Sequence, residues 1–168
     1  MKNVITKKII FMFLILIFLF ISIYSFTSYS TKEDINKTTQ YKNNAKRSDL
    51  KKTLDMSSFI ESLNIKLKIH KNSKEYLERA AQLTQKTNQF NLTVNRYTTI
   101  DVEQFIVNNL HEVYLLEYED KFGNEGIVGE IIIDKSKKDL NIDIFLMSCR
   151  VIGRGVEYVF ISEVLKDI

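Results

Sequence analysis

Asn141-Ile-Asp-Ile-Phe-Leu-Met-Ser-Cys-Arg150-Val-Ile-Gly-Arg-Gly155-Val-Glu-Tyr-Val-Phe160 is the stretch on which the fold turns. Its first nine residues carry Ile142, Ile144, Phe145, Leu146 and Met147 with little polar interruption. That predicts a strand over 141–149 covered on both faces. A glycine-bearing loop over 150–155 follows. Then comes an amphipathic helix over 156–166 with Val159, Phe160, Val164 and Leu165 inward. Such a loop has two readings. Gly153 and Gly155 let the backbone approach an anion with no Cβ in the way. The N–H groups that open the next helix have no intrahelical partner and carry partial positive charge. Arg150 and Arg154 would add charge-assisted bonds. The plainer reading is a tight turn and a close helix contact.

Working backwards, 113–119 and 127–134 are two further β-rich segments. Residues 121–126 between them, with Phe122-Gly-Asn-Glu-Gly126, read as a hairpin turn. Residues 135–139 form a charged turn. The three strands therefore make an antiparallel meander. Upstream, Asp101 to Asn109 reads as a short helix using Val102, Phe105 and Ile106. Residues 73–87 form a helix capped by Ser73, with Tyr76, Leu77, Ala80, Ala81 and Leu83 inward. Ile65-Lys-Leu-Lys-Ile69 alternates apolar and basic side chains, as a half-buried strand does. Asp55 caps a helix over 56–63 that turns Phe59, Ile60 and Leu63 to one side. Residues 31–54 are lysine-rich and read as a helix or a partly ordered linker. The fold class is α+β.

Composition excludes several functions. The chain has 168 residues, 24 basic and 21 acidic, for a net charge of +3. That balance, without a dense basic stripe, argues against nucleic acid. A single cysteine, Cys149, excludes an internal disulfide, and two histidines, His70 and His111, make no metal cluster. No metal is expected.

From Ile9 to Ile21 every residue is apolar, and no charge falls between Lys8 and Lys32. With Ser22 to Phe26 the run approaches the roughly 20 residues that span a bilayer. An uncleaved anchor over residues 1–29 and a single-pass membrane location are expected. A cleaved signal peptide is the rival, weakened by poor small-x-small cleavage sites. The orientation stays open. Lys2, Lys7 and Lys8 before the run favour the N-terminus inside, whereas Lys32, Lys37, Lys42, Lys46 and Arg47 after it oppose this.

Four runs carry a family resemblance: Gln82-Leu-Thr-Gln-Lys-Thr-Asn-Gln-Phe-Asn-Leu-Thr93, Arg96-Tyr97, Lys121-Phe-Gly-Asn-Glu-Gly-Ile-Val-Gly129 and Ser148-Cys-Arg-Val-Ile-Gly-Arg-Gly-Val-Glu157. Together they resemble the FkbH-like proteins, which pair a HAD-type phosphatase-like domain with a C-terminal GNAT-like acyltransferase domain. Those proteins load a glyceryl group onto an acyl carrier protein. Arg150 to Gly155 also fits the Arg/Gln-x-x-Gly-x-Gly/Ala loop of GNAT acetyltransferases. The resemblance implies a partial GNAT-like domain over 65–168, a helical interdomain-type linker over 30–64, and no HAD domain. It implies that Arg150, Gly153, Arg154 and Gly155 bind acetyl-CoA or an acyl carrier phosphopantetheine. It implies that Asn88, Gln89, Asn91 and Thr93 bind substrate, although a loop satisfying its own backbone accounts for them equally. The partners implied are an acyl carrier protein or a HAD-type domain on a separate chain, besides the membrane. The resulting expectation is an incomplete acyltransferase-like domain. Its alternative is a non-catalytic, membrane-anchored remnant or carrier-docking module. Cys149 is expected to be a buried structural thiol rather than a nucleophile. Asp143 reads as a satisfied strand carboxylate rather than a base. His70 and His111 belong at the surface or an edge.

Overall fold

The computed structural model describes Ile15 and residues 37–87, 90–136 and 139–168. The chain divides into two compact units, residues 1–30 and 31–168, and the architecture below is that of the second. Its elements in order are α1 (Lys37–Thr53), α2 (Met56–Ser62), β1 (Lys66–Lys71), a 3-10 turn (Lys74–Tyr76), α3 (Leu77–Lys86), α4 (Thr99–Val107), β2 (His111–Asp120), β3 (Gly123–Asp134), β4 (Asn141–Met147) and α5 (Val156–Asp167). The strands form one antiparallel sheet in the order β1-β2-β3-β4. The α+β class read from the sequence is what is found.

The sheet separates two apolar layers. Tyr114, Leu116, Tyr118, Ile131, Ile133, Phe145 and Met147 share one layer with Val151 and with Val156, Phe160 and Val164 of α5. Val113, Leu115, Ile132, Ile144 and Leu146 share the other with Ala80, Ala81 and Leu83 of α3 and Val102 of α4. Alternation along each strand sends successive side chains to opposite faces. A continuous apolar run such as 144–147 therefore fills both layers, and all four residues are buried. Each large side chain so buried contributes about 1.5–3 kcal/mol against exposure.

Local signals set several boundaries. Asp55 Oδ1 accepts from the Ser58 N–H at 3.0 Å and starts α2 where expected. Thr98 and Asp101 exchange bonds as a capping box, starting α4 at Thr99, two residues ahead of the expected Asp101. Arg79 Nε and Nη2 donate to the Ile127 carbonyl at 3.1 and 3.0 Å, fixing α3 on β3.

Several expectations are corrected. Among the described residues no helix is long and apolar enough to cross a membrane. A span needs about 20 apolar residues in one helix, whereas α1, the longest described helix, has 17 and is rich in lysine. The expected transmembrane helix over 1–29 is therefore not among the elements found, and the expected single-pass membrane location is not supported. That run lies outside the described residues except for Ile15. Ser73 makes no side-chain cap, because the backbone after it forms a 3-10 turn before α3 begins at Leu77. The hairpin turn is shorter than the expected 121–126, since β3 already starts at Gly123. On α5 the buried face is Val156, Phe160 and Val164, whereas Val159 and Leu165 are about half exposed. Cys149 is exposed, because β4 ends at Met147 and the thiol stands beyond the strand.

Candidate functional site

The loop after β4 is anchored at two points. The Ser148 N–H donates to the Val128 carbonyl at 2.7 Å, and the Val151 N–H donates to Ser148 O at 3.2 Å. Val151 is fully buried in the α5-side layer. The chain then rises through Gly153 (φ +79°) and Gly155 (φ +76°), both in the left-handed region that favours glycine. Gly155 is also the residue from which α5 departs. A Cβ built on either glycine meets nothing within 4 Å. The space above the loop is open, as an anion cradle requires.

The arginines of the loop face the other way. Arg150 Nη1 donates to Glu125 Oε2 at 3.2 Å and its Nε to Ser148 Oγ at 3.1 Å. Arg154 Nη1 donates to the Tyr118 hydroxyl at 2.8 Å, and its Nη2 to the Arg150 carbonyl at 2.7 Å. The Tyr118 hydroxyl in turn donates to Asp120 Oδ2 at 2.9 Å. Arg47 of α1 completes the cluster. It grips Asp120 with Nε at 2.7 Å and Nη2 at 2.8 Å, and reaches Glu125 Oε1 with Nη1 at 2.6 Å. The Asp120 and Glu125 carboxylates are essentially inaccessible to water, and Arg47 is nearly so.

A bulge brings these groups to one side. Tyr118 pairs with Gly126 and Glu119 with Asn124, so Glu125 has no partner across the strand pair. The extra residue turns the Glu125 side chain under the loop. Electrostatics follow from this packing. Burial works against charge on both Arg47 and Asp120, but their mutual bonds win. They hold Arg47 above its ordinary value and Asp120 below the usual carboxylate range. Burial, opposed by the Arg154 cation and reinforced by Asp120, pushes the Tyr118 phenol up to about 12.

Of the expected substrate-binding residues, Asn88 and Gln89 lie outside the described residues. Asn91 bridges to Leu146 across the outer edge of β4. Its Oδ1 accepts from the Val94 N–H at 3.0 Å. Thr93 is exposed. The Met147 N–H donates to Phe90 O at 3.0 Å and the Leu92 N–H to Phe145 O at 3.2 Å. Residues 90–92 therefore line the end of β4. Asp143 is satisfied, accepting from the Tyr97 hydroxyl at 2.6 Å and Asn95 Nδ2 at 3.0 Å. His70 sits on edge strand β1 and bonds Glu117 at 2.9 Å. His111 opens β2, with Nδ1 3.0 Å from Asn108 Oδ1.

Arg47, Tyr118, Asp120, Glu125 and Glu130 are not singled out by the sequence. Glu130 is fully buried between the cross-strand neighbours Leu115 and Leu146, with neither carboxyl oxygen bonded. Burial, opposed by the nearby Arg79 cation, keeps it protonated well above its ordinary range. An acid inside the run Ile127 to Ile133 is the one visible signal for it. Among the described residues no group of His, Cys, Asp and Glu gathers as a metal site. No family model matches the chain, and no curated protein matches it.

Proposed function

We propose that residues 65–168 form a GNAT-like, acyltransferase-like domain that takes acyl-CoA or an acyl carrier thioester at the 150–155 loop. One observation carries this reading. Two left-handed glycines with open space above them lie between a buried strand and the first turn of α5. Backbone N–H groups there suit the phosphates of coenzyme A or of a phosphopantetheine arm. The element order supports the same reading. A strand, two helices, three meander strands and a helix follow one another, with the loop at the end of the fourth strand.

A second reading has its own support. Arg150 and Arg154 bond inward, and Asp143 is occupied by Tyr97 and Asn95. A loop whose cations are spent on its own fold suits a non-catalytic module that docks a carrier protein.

Calorimetry of the full chain with acetyl-CoA and with a holo carrier protein separates the two. Gly153→Ala is the test variant, with Lys52→Ala, an exposed residue of α1, as the control. Micromolar acetyl-CoA binding lost in Gly153→Ala supports the acyltransferase-like reading. Carrier binding without acetyl-CoA binding supports the docking module. No binding by the folded chain overturns both.

A further inference from the structure

Three guanidinium groups, those of Arg47, Arg150 and Arg154, meet two carboxylates, Asp120 and Glu125, in one hydrogen-bonded cluster under the loop. One positive charge in that cluster is unmatched. The surplus depends on Arg47, which lies 73 and 78 residues from the carboxylates it holds. We infer that Arg47 is a positioning residue for the 150–155 loop, acting through the two buried carboxylates to set the charge that an anion meets there. This rests on the reading of the loop as a phosphate cradle.

The physical case is one of competition. Glu125 divides its two oxygens between Arg47 and Arg150, at 2.6 and 3.2 Å. Asp120 holds Arg47 through both oxygens, with Arg154 Nη1 at 3.7 Å. With Arg47 in place, the carboxylates are neutralised from the α1 side. Arg150 and Arg154 then keep part of their field for the loop above. Without Arg47, both acids would be served by the loop arginines alone, and the net charge of the cluster would fall to zero. Two buried charges with little water between them act over several ångströms with little screening. Glu157, in the first turn of α5, has Oε2 buried without a hydrogen-bond partner. Its charge is the same in every comparison below. The consequence is that α1, an element far from the loop in sequence, is part of the site.

The test is pyrophosphate binding by the full chain, measured by calorimetry at low salt. Each variant is first checked for cooperative unfolding. Arg47→Met should bind about tenfold more weakly than the unaltered chain, an effect of one charge at this range. Glu125→Gln removes a negative charge and should bind severalfold more tightly. Mere damage to the fold could not produce that direction. The double variant Arg47→Met/Glu125→Gln restores one unmatched cation and should return to within about threefold of the unaltered chain. If Arg47→Met does not fold, the double variant against Glu125→Gln decides alone, since loss of Arg47 in that background should weaken binding severalfold. Equal binding by the unaltered chain and Glu125→Gln, or a double variant no better than Arg47→Met, overturns the inference while leaving the cradle reading intact. No pyrophosphate binding by the unaltered chain overturns the cradle reading and the inference with it.

Discussion

Phe160 of α5 reaches the sheet through the gap left by Gly129. A Cβ built on that glycine would stand 3.2 Å from Phe160 Cε1, 3.3 Å from Leu116 Cβ and 2.5 Å from Met147 Sδ. The helix that follows the glycine loop is thus seated by a missing side chain on β3. Gly129→Ala should destabilise the chain by about 1–3 kcal/mol through overpacking. Met147 can give way more easily than the ring or the Leu116 Cβ. Urea unfolding checks this, and an unchanged midpoint would show that α5 does not lie as closely on β3 as described. Gly129→Val should cost more than Gly129→Ala, because its branches point at the same three neighbours.

The Arg47–Asp120 pair makes stability depend on acid. Asp120 is held below the usual carboxylate range despite burial, chiefly by Arg47, then by the Phe122 N–H and the Tyr118 hydroxyl. A folded-state value below the unfolded one means that the unfolded chain binds the proton more readily. The contribution is therefore present above the unfolded value and is lost as pH falls through the folded one. Urea midpoints for the unaltered chain should fall as pH drops below about 4, and Asp120→Asn should flatten that fall. At neutral pH the same variant should cost about 3–5 kcal/mol, because it leaves a buried guanidinium underpaired.

Much of this architecture is legible in the sequence, and the parts that are not share a cause. Residues 144–147 read as a doubly covered strand because nothing else explains four consecutive apolar side chains. Gly153 and Gly155 read as a loop or tight turn, and the structure gives the reason, a left-handed backbone at both that other residues adopt only at a cost. The face of α5 is misread because apolar residues occupy more than half its circumference. Spacing alone cannot choose between Val156, Phe160 and Val164 and the exposed Val159 and Leu165. The Arg47 cluster is not legible at all. It joins a lysine-rich helix without an apolar face to two acids in strand sequence, and it depends on a bulge that shows only in the pairing of β2 with β3. The inward aim of Arg150 and Arg154 is hidden for the same reason, since their partners lie 25 and 36 residues away.

Glu130 should produce the opposite pH response to Asp120. Its carboxyl is fully buried with no hydrogen bond to either oxygen, and burial raises it well above the ordinary value of 4.5. An acid raised in the folded state binds its proton more tightly there than in the unfolded chain. Its contribution is greatest below the unfolded value and shrinks as pH rises from there towards the folded one. Urea midpoints should therefore decline from pH 5 upward, and Glu130→Gln should lessen the decline. Glu130→Met, of similar length and apolar, should stabilise the chain by about 1–3 kcal/mol at neutral pH. A midpoint that falls in Glu130→Met would mean that the carboxyl has a partner that outweighs its burial.

Tyr97 ties the 90–98 loop to β4, and its removal separates a structural from a chemical role for Asp143. The phenol donates to Asp143 Oδ2 at 2.6 Å, while the Tyr97 N–H donates to Thr84 Oγ1 at 2.9 Å at the end of α3. Burial and the Asp143 carboxylate raise the phenol above its ordinary value, so it stays a donor throughout the neutral range. Asp143 is the extra residue of a bulge, since Ile132 pairs with Ile144 and Ile133 with Ile142. That geometry points its carboxylate away from the strand pairing and towards the loop. Tyr97→Phe leaves the ring on Phe105, at a centroid separation of 4.8 Å, and deletes only the hydroxyl. Asp143 then keeps Asn95 as its remaining side-chain donor. The expected cost is about 1–3 kcal/mol, the penalty for one unsatisfied and partly buried acceptor. Amide exchange should quicken at Leu92 and Met147, whose bonds hold the loop to β4, while the β2–β3 amides stay protected. Faster exchange across the whole sheet would mean that Tyr97 supports the fold rather than the loop. No change at Leu92 or Met147 would mean that the loop is held by Phe90, which packs edge-on against Phe145 at 5.2 Å, and not by the tyrosine.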